Sequence, residues 1–465
     1  MKGSSIIMVN IKKLFEPTDM TVGKPWKSIG LFSIPMIIGN IAQQLYSTVD
    51  SIVVGHYVGD NALAAVGSAT PILNLLLVLF IGISAGVGIM VAQYFGAKAR
   101  TDLSKTIGTC TTLTALVSLV LMIAAPPIVR PLLALLDTPA SIIDDCTAYL
   151  VIMMVGIAGM AYYNILSGIL RGMGDSFSAL VYLLVATVIN IVLDVWFVAG
   201  FNMGVAGVSL ATVIAQAVSA IMCLRKLMRM KDTFDLGKKE LKMSKEHVTQ
   251  IVKLGLPSGV TQAIFSSAMI IVQSLTNSFG EMFIAANVIV MRVDGFAMMP
   301  NLSFGTAMTT YAGQNVGARK FDRVMQGAKQ GTIMAVICST VITGIILLFG
   351  KHLMGIFTDT QELVDMSYYM MCILAVGYIA MAVTQSLSGV MRGAGDTVTP
   401  MWISLCTSVL IRIPVAYGIS WLTRTPELPT GRSECIQVSL LTTWVLGAII
   451  TFTFYKIGKW KKKAL

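Results

Sequence analysis

The chain has 465 residues, of which 55% are hydrophobic and only 12% charged, and it carries a formal net charge of +11. A mean hydropathy of +0.78 is too high for a water-facing surface; it excludes a soluble globular protein and predicts an all-α polytopic membrane protein. The seven cysteines stand singly, with no CxxC pair, which excludes a disulfide or metal framework.

Apolar runs of about 20 residues, broken by charge, Gly and Pro, predict twelve transmembrane helices. The first six lie at 29–54, 64–95, 106–129, 146–170, 177–200 and 205–224. The second six lie at 251–277, 283–312, 327–350, 366–391, 398–421 and 436–456. This gives a cytoplasmic N-terminal segment (1–28), an N-lobe (29–224), a polar linker (225–250), a C-lobe (251–456) and a basic tail (457–465).

In the first span, Asn40, Gln43, Ser47 and Asp50 recur at helical spacing and form one polar stripe, with Tyr46 one turn before Asp50. A stripe of this kind is expensive against lipid and is expected to face a cavity. Pro35, near the start of the same helix, removes a backbone hydrogen bond and permits a bend. After the fourth span comes RGMGD, 171–175. It reads as a tight turn with Gly172 as helix C-cap, Arg171 at the carbonyl end and Asp175 capping the next helix.

The fifth span carries Asn190 and Asp194, four residues apart on one face near mid-depth. An Asp at a helix centre costs roughly 2.5 to 3.5 kcal/mol on insertion scales, so a partner, water or a bound cation is expected to compensate. If Asp50 and Asp194 converge, mutual repulsion and desolvation favour proton uptake by one of them; a sodium ion held by Asp50, Asp194 and Asn190 is the other reading. The linker reads as a solvated connector. In the C-lobe, Asp294 is expected to pair with Arg412 rather than with Arg292, which lies only two residues away on the same helix. A substrate cavity at Asp294, with pliable methionines such as Met298, is the competing reading there.

SGILRGMGD at 167–175 returns as SGVMRGAGD at 388–396, 221 residues later, and the same offset relates Gly59 to Gly280 and Gln93 to Gln314. Six spans per repeat is an even number, so the repeats are parallel, and substrate is expected in a central cavity at their interface. With the N-terminus inside, 28 of the 34 Lys and Arg fall on the cytoplasmic side and four outside. That asymmetry places both termini in the cytoplasm and accounts for the basic charge without nucleic acid. The three histidines are scattered and there is no GxxxxGK[ST] loop, so neither an enzyme nor an ATPase is expected and a gradient must supply the work.

The twelve spans in two sixes, the segment QQLYSTVDSIVVG at 43–55, NIVLD at 190–194, GQNVGA at 313–318 and the RGMGD and RGAGD turns together resemble the multidrug and toxic compound extrusion (MATE) family over essentially the whole chain. The acidic residue in the first span and the Asn/Asp pair in the fifth resemble its DinF-like branch, with MepA-like exporters. The resemblance implies a bacterial inner-membrane antiporter that expels organic, often cationic, drugs against inward proton or sodium flow, with no cofactor and no obligatory protein partner. It further implies that Tyr46, Asp50, Asn190, Asp194 and Thr212 shape an ion site with Asn164 nearby. By the same resemblance Gln43 lines the cavity and Pro35 marks the bend. The NorM-like branch places an acidic residue on helix 7; here Ile251 to Asn277 has none. A flippase for a lipid-linked precursor and a non-transporting scaffold or receptor remain the rival expectations.

Overall fold

The computed structural model describes residues 15–135 and 138–462, apart from twelve side chains between 47 and 79, among them Ser47 and Asp50. Described residues form helices and no strands. The helices are α1 (Pro25–Tyr57), α2 (Asp60–Gly96), α3 (Arg100–Leu135), the bent α4 (Ile143–Val155 and Ile157–Gly172), α5 (Ser176–Gly200) and α6 (Gly204–Arg229). After the linker come α7 (Lys245–Asn277), α8 (Glu281–Gly317), α9 (Phe321–Gly355), the bent α10 (Gln361–Ala375 and Gly377–Gly393), α11 (Val398–Leu422) and α12 (Cys435–Ile457). Each expected span falls inside one of these helices. Two features were not expected: axis breaks of 53° in α4 and 45° in α10, and π-helical turns at Trp196–Gly200 in α5 and Cys406–Ile411 in α11.

The chain divides into two compact units, Met1–Asp19 with Ile34–Gly259 and Met20–Ser33 with Val260–Leu465. Both α1 and α7 are therefore shared between them, and the division falls next to Pro35 and Pro257. Each unit has its own apolar core. On α9 the exposed Ile333, Ile337, Val341 and Ile345 recur every four residues, a face suited to lipid.

Inside each unit the same small-residue contact joins two helices. Gly168 and Gly172 of α4 lie against Ser84 and Gly88 of α2, and 221 residues on, Gly389 and Gly393 of α10 lie against Gly305 and Thr309 of α8. In lipid no hydrophobic force draws apolar helices together, so close backbone approach at small side chains supplies the packing.

The RGxGD turns differ in one respect from expectation. Asp175 does cap α5, accepting from Ser178 N at 2.9 Å and Ser178 Oγ at 2.7 Å. Asp396 accepts from Thr399 N and Oγ1 in the same way, at 3.2 and 2.7 Å. The left-handed residues, however, are Gly174 (φ +85°) and Gly395 (φ +94°), while Gly172 and Gly393 stay helical and are needed for packing. The linker also departs from a solvated connector, because it is clamped to α3. Arg100 pairs with Asp235 at 2.8 Å and donates to the carbonyls of Lys231 (2.7 Å) and Asp232 (3.2 Å). The Arg100 hydrogen bond holds the Asp235 carboxyl below its usual range, and Ser104 Oγ accepts from Asp235 N at 2.8 Å.

Candidate functional site

α5 presents Asn190 and Asp194 one turn apart, 1% and 0% exposed. α6 places Thr212 opposite them and α1 brings in Tyr46. The Asn190 amide fits its surroundings with Nδ2 donating to Asp194 Oδ2 at 2.9 Å and Oδ1 accepting from Thr212 Oγ1 (3.3 Å) and Thr212 N (3.2 Å). Tyr46 Oη and Thr212 Oγ1 are 3.1 Å apart. Thr212 Oγ1 stands between the Tyr46 hydroxyl and the Asn190 amide. Three helices are thus tied to one carboxylate by a continuous line of hydrogen bonds, just before the π-turn that starts at Trp196. Turns of that kind are frequent at functional sites.

A cavity of about 250 Å³ in the same unit is lined by Pro35, Asn40, Gln43 and Asn164. Asn164 belongs to this cavity wall and not to the hydrogen-bonded line: its Nδ2 donates to Met160 O at 2.8 Å. α1 runs unbroken through Pro35. The side chains of Ser47 and Asp50 lie outside the described residues, so the convergence of Asp50 on Asp194 is left to function. Sequence reasoning missed Gln216, one turn beyond Thr212 on α6, which lines the cavity and has an enclosed Oε1 with no partner among the described residues. It placed Arg171 only at the carbonyl end of a helix, whereas this side chain lines the cavity and makes no hydrogen bond among the described residues. A polar ladder read along α6 at four-residue spacing would have found Gln216.

The second unit holds its own cavity of about 130 Å³, lined by Asp294, Met298 and Arg412. The expected Asp294–Arg412 ion pair is not formed: among the described residues no ion pair joins them within 4.0 Å. Asp294 Oδ1 instead accepts from Tyr378 Oη at 2.8 Å. A phenol close at hand on α10 satisfies the carboxylate without bringing the guanidinium across the cavity.

Comparison with known proteins agrees with this architecture. The family model MatE matches residues 35–196 and again 257–418. The chain is similar to the probable multidrug resistance protein YoeA of Bacillus subtilis, 29% identical over 95% of this chain and 95% of that one. It is similar to the multidrug export protein MepA of Staphylococcus aureus at 21% identity, over 90% of this chain and 94% of that one. A crystal structure of MATE in complex with MaL6 superposes with a TM-score of 0.88 at 22% identity, covering 95% of this chain and 98% of that one. The family model is met twice, once in each repeat and over well more than half of the sequence, and the chain belongs to the MatE family of multidrug efflux transporters.

Proposed function

We propose that the chain is a secondary active antiporter of a bacterial inner membrane, exporting organic, often cationic, compounds by alternating access in exchange for protons or sodium ions. One observation carries the reading: a fully buried carboxylate, Asp194, at the end of the line Tyr46–Thr212–Asn190 within otherwise apolar helices. A buried charge of this kind is costly unless it is paired, protonated or bound to a cation. Taking up and releasing a cation is therefore the event with most free energy to transmit.

In the hydrogen-bonded arrangement the Asn190 N–H faces Asp194. A proton can bind that carboxylate directly, whereas sodium, which is bound by oxygens, requires the amide to turn, so the proton is the first ion to test. Protonation of Asp194 weakens its hold on that N–H and slackens the line through Thr212 to Tyr46 on α1. The same helix carries Asn40 and Gln43 into the cavity, and Pro35 lowers the cost of a change in its path. Ion uptake and cavity shape thus share one element. One elementary charge moving through about 100 mV supplies roughly 2.3 kcal/mol, enough for nearly fifty-fold accumulation before any chemical gradient.

The test is ethidium efflux from proteoliposomes under a proton gradient alone and then a sodium gradient alone, for the wild type and Asp194→Asn. Efflux driven by the proton gradient and lost in the variant is expected. Sodium-driven efflux would reassign the ion. Failure of ethidium and a panel of other cationic dyes under both gradients would overturn the antiporter and favour flipping of a lipid-linked precursor.

A further inference from the structure

The 221-residue offset between the repeats pairs α3 with α9, and it sets Ser104, Gly108 and Thr112 against Met325, Lys329 and Ile333. Each set recurs every four residues and so forms one stripe near the start of its helix. In the first repeat the linker covers that stripe. Ser104 Oγ accepts from Asp235 N at 2.8 Å, Thr112 Oγ1 donates to Leu241 O at 2.6 Å, and a Cβ at Gly108 would run into the Glu240 carbonyl. In the second repeat no described segment takes the linker's place: Met325 is 41% exposed, and Lys329 and Ile333 are exposed with it. Further along, the two helices agree again. Leu116 and Val120 of α3 and their counterparts Ile337 and Val341 of α9 are all exposed, as lipid-facing residues should be.

What reaches the open stripe is a cation from the tail. Gly458, at φ +74°, turns the chain at the end of α12. Trp460 is then buried at 1% exposure, stacked on the Tyr455 ring with centroids 5.5 Å apart and its Nε1 donating to Tyr455 O at 3.0 Å. With Trp460 fixed, Lys461 Nζ lies 3.7 Å from Met325 Sδ. A thioether is only a weak acceptor, so the ammonium keeps most of its bonding capacity. Met325 is one turn from Lys329, and two cations thus stand together at the head of an apolar stripe. Asp322, in the first turn of α9, pairs with neither within 4.0 Å.

Like charges side by side repel, and an anion between them satisfies both. The apolar residues beyond them say what kind of anion. Lys329 lies about 12 Å along α9 from Phe321, at 1.5 Å per residue, and a lysine at such a depth carries its ammonium up to the headgroup level while its stem stays in apolar surroundings. We infer that this surface binds an anionic phospholipid, its phosphate between Lys329 and Lys461 and an acyl chain along Ile333, Ile337, Val341 and Ile345. A free phosphate would leave the stripe unused. A zwitterionic headgroup would bring a cation of its own against the lysines. The lipid does in the second repeat what the linker does in the first, covering the head of the stripe.

The test is native mass spectrometry of the full chain released from detergent, with dioleoyl phosphatidylglycerol or dioleoyl phosphatidylcholine added. The wild type is expected to hold one phosphatidylglycerol about ten-fold more tightly than phosphatidylcholine. Lys329→Gln and Lys461→Gln should each weaken that adduct about five-fold, the worth of one lysine at an anionic surface, and the double variant should lose the preference. Lys238→Gln with Lys239→Gln removes the same charge from exposed positions of the linker and should keep the adduct. Glycerol 3-phosphate, the same anion without chains, should not displace the lipid at equal concentration. Equal retention of the two lipids, an undiminished adduct in the double variant or an equal loss in the linker control would each overturn the inference. So would displacement by glycerol 3-phosphate, which marks a free-phosphate site, or a lipid-free dimer mass, which marks a second copy on this face. Ion-driven efflux is not part of the readout, so failure here leaves the antiporter standing.

Discussion

Thr212 is the joint of the first unit's site, because its single hydroxyl lies within hydrogen-bond distance of both the Tyr46 hydroxyl and the Asn190 amide. Thr212→Val keeps the shape and removes the hydroxyl, leaving the buried Asn190 oxygen with the residue 212 backbone N–H alone, at a cost of about 0.5 to 1.5 kcal/mol for the lost hydrogen bond. Proton-driven ethidium efflux is expected to fall about ten-fold, in line with roughly 1.4 kcal/mol lost from the coupling step. Thr212→Ser, which restores the hydroxyl, should recover most of it. Efflux at the wild-type rate in Thr212→Val would remove the hydrogen-bonded line from the mechanism. Asn190 and Asp194 were legible in the sequence because polar residues at helical spacing stand out in an apolar run. Thr212 came only from the family resemblance, since a lone Thr in a membrane helix ordinarily bonds its own backbone. The Asp294–Arg412 pairing failed because spacing along one chain fixes which residues share a helix face and says nothing of the distance across a cavity. Tyr378, an unremarked phenol in an apolar span, was the nearer partner.

The twelve helices were legible because length and apolarity alone define a span. The breaks in α4 and α10 and the two π-turns were not, because hydrophobic patterning reports that a helix exists and not where its axis turns. The RGxGD turn shows the limit most clearly: both glycines suit a helix end by type, and only the backbone shows that Gly174 takes the left-handed conformation while Gly172 packs. Gly174→Ala meets two penalties, the left-handed backbone, about 1 to 2 kcal/mol for a residue with a Cβ, and a Cβ pressed onto the Thr18 carbonyl. Gly23→Ala, at φ +74° with nothing within 4 Å of the added carbon, meets backbone strain alone. Thermal melting in detergent should therefore show the larger drop for Gly174→Ala. Equal drops would mean that the turn yields, and that its contact with the N-terminal segment does not hold it. At the same end of the unit, Asp235→Asn should loosen the linker from α3. Faster proteolysis between Lys231 and Lys242 in that variant is the expected sign, and an unchanged pattern would return the linker to the solvated connector first expected.

For the whole molecule, the direction of export depends on which side each loop occupies. The described turns alternate between two classes: those at 97–99, 173–175, 230–244 and 318–320 carry most of the loop Lys and Arg, while those at 58–59, 201–203, 278–280 and 423–434 carry few. Basic residues are retained on the cytoplasmic side during insertion, so the linker is expected inside and the loop between α11 and α12 outside. Lys239 and Glu427 are exposed residues in these two segments, and each can carry a single cysteine in a chain whose seven native cysteines are changed to serine. On intact cells a membrane-impermeant maleimide should label Glu427→Cys and spare Lys239→Cys, and permeabilisation should expose both. Under the proposed antiport, inward cation flow would then enter from the side of the α11–α12 loop, and the exported compound would leave by that same side. Labelling in the opposite pattern would turn the molecule over, and the same Asp194 chemistry would then drive uptake in place of export.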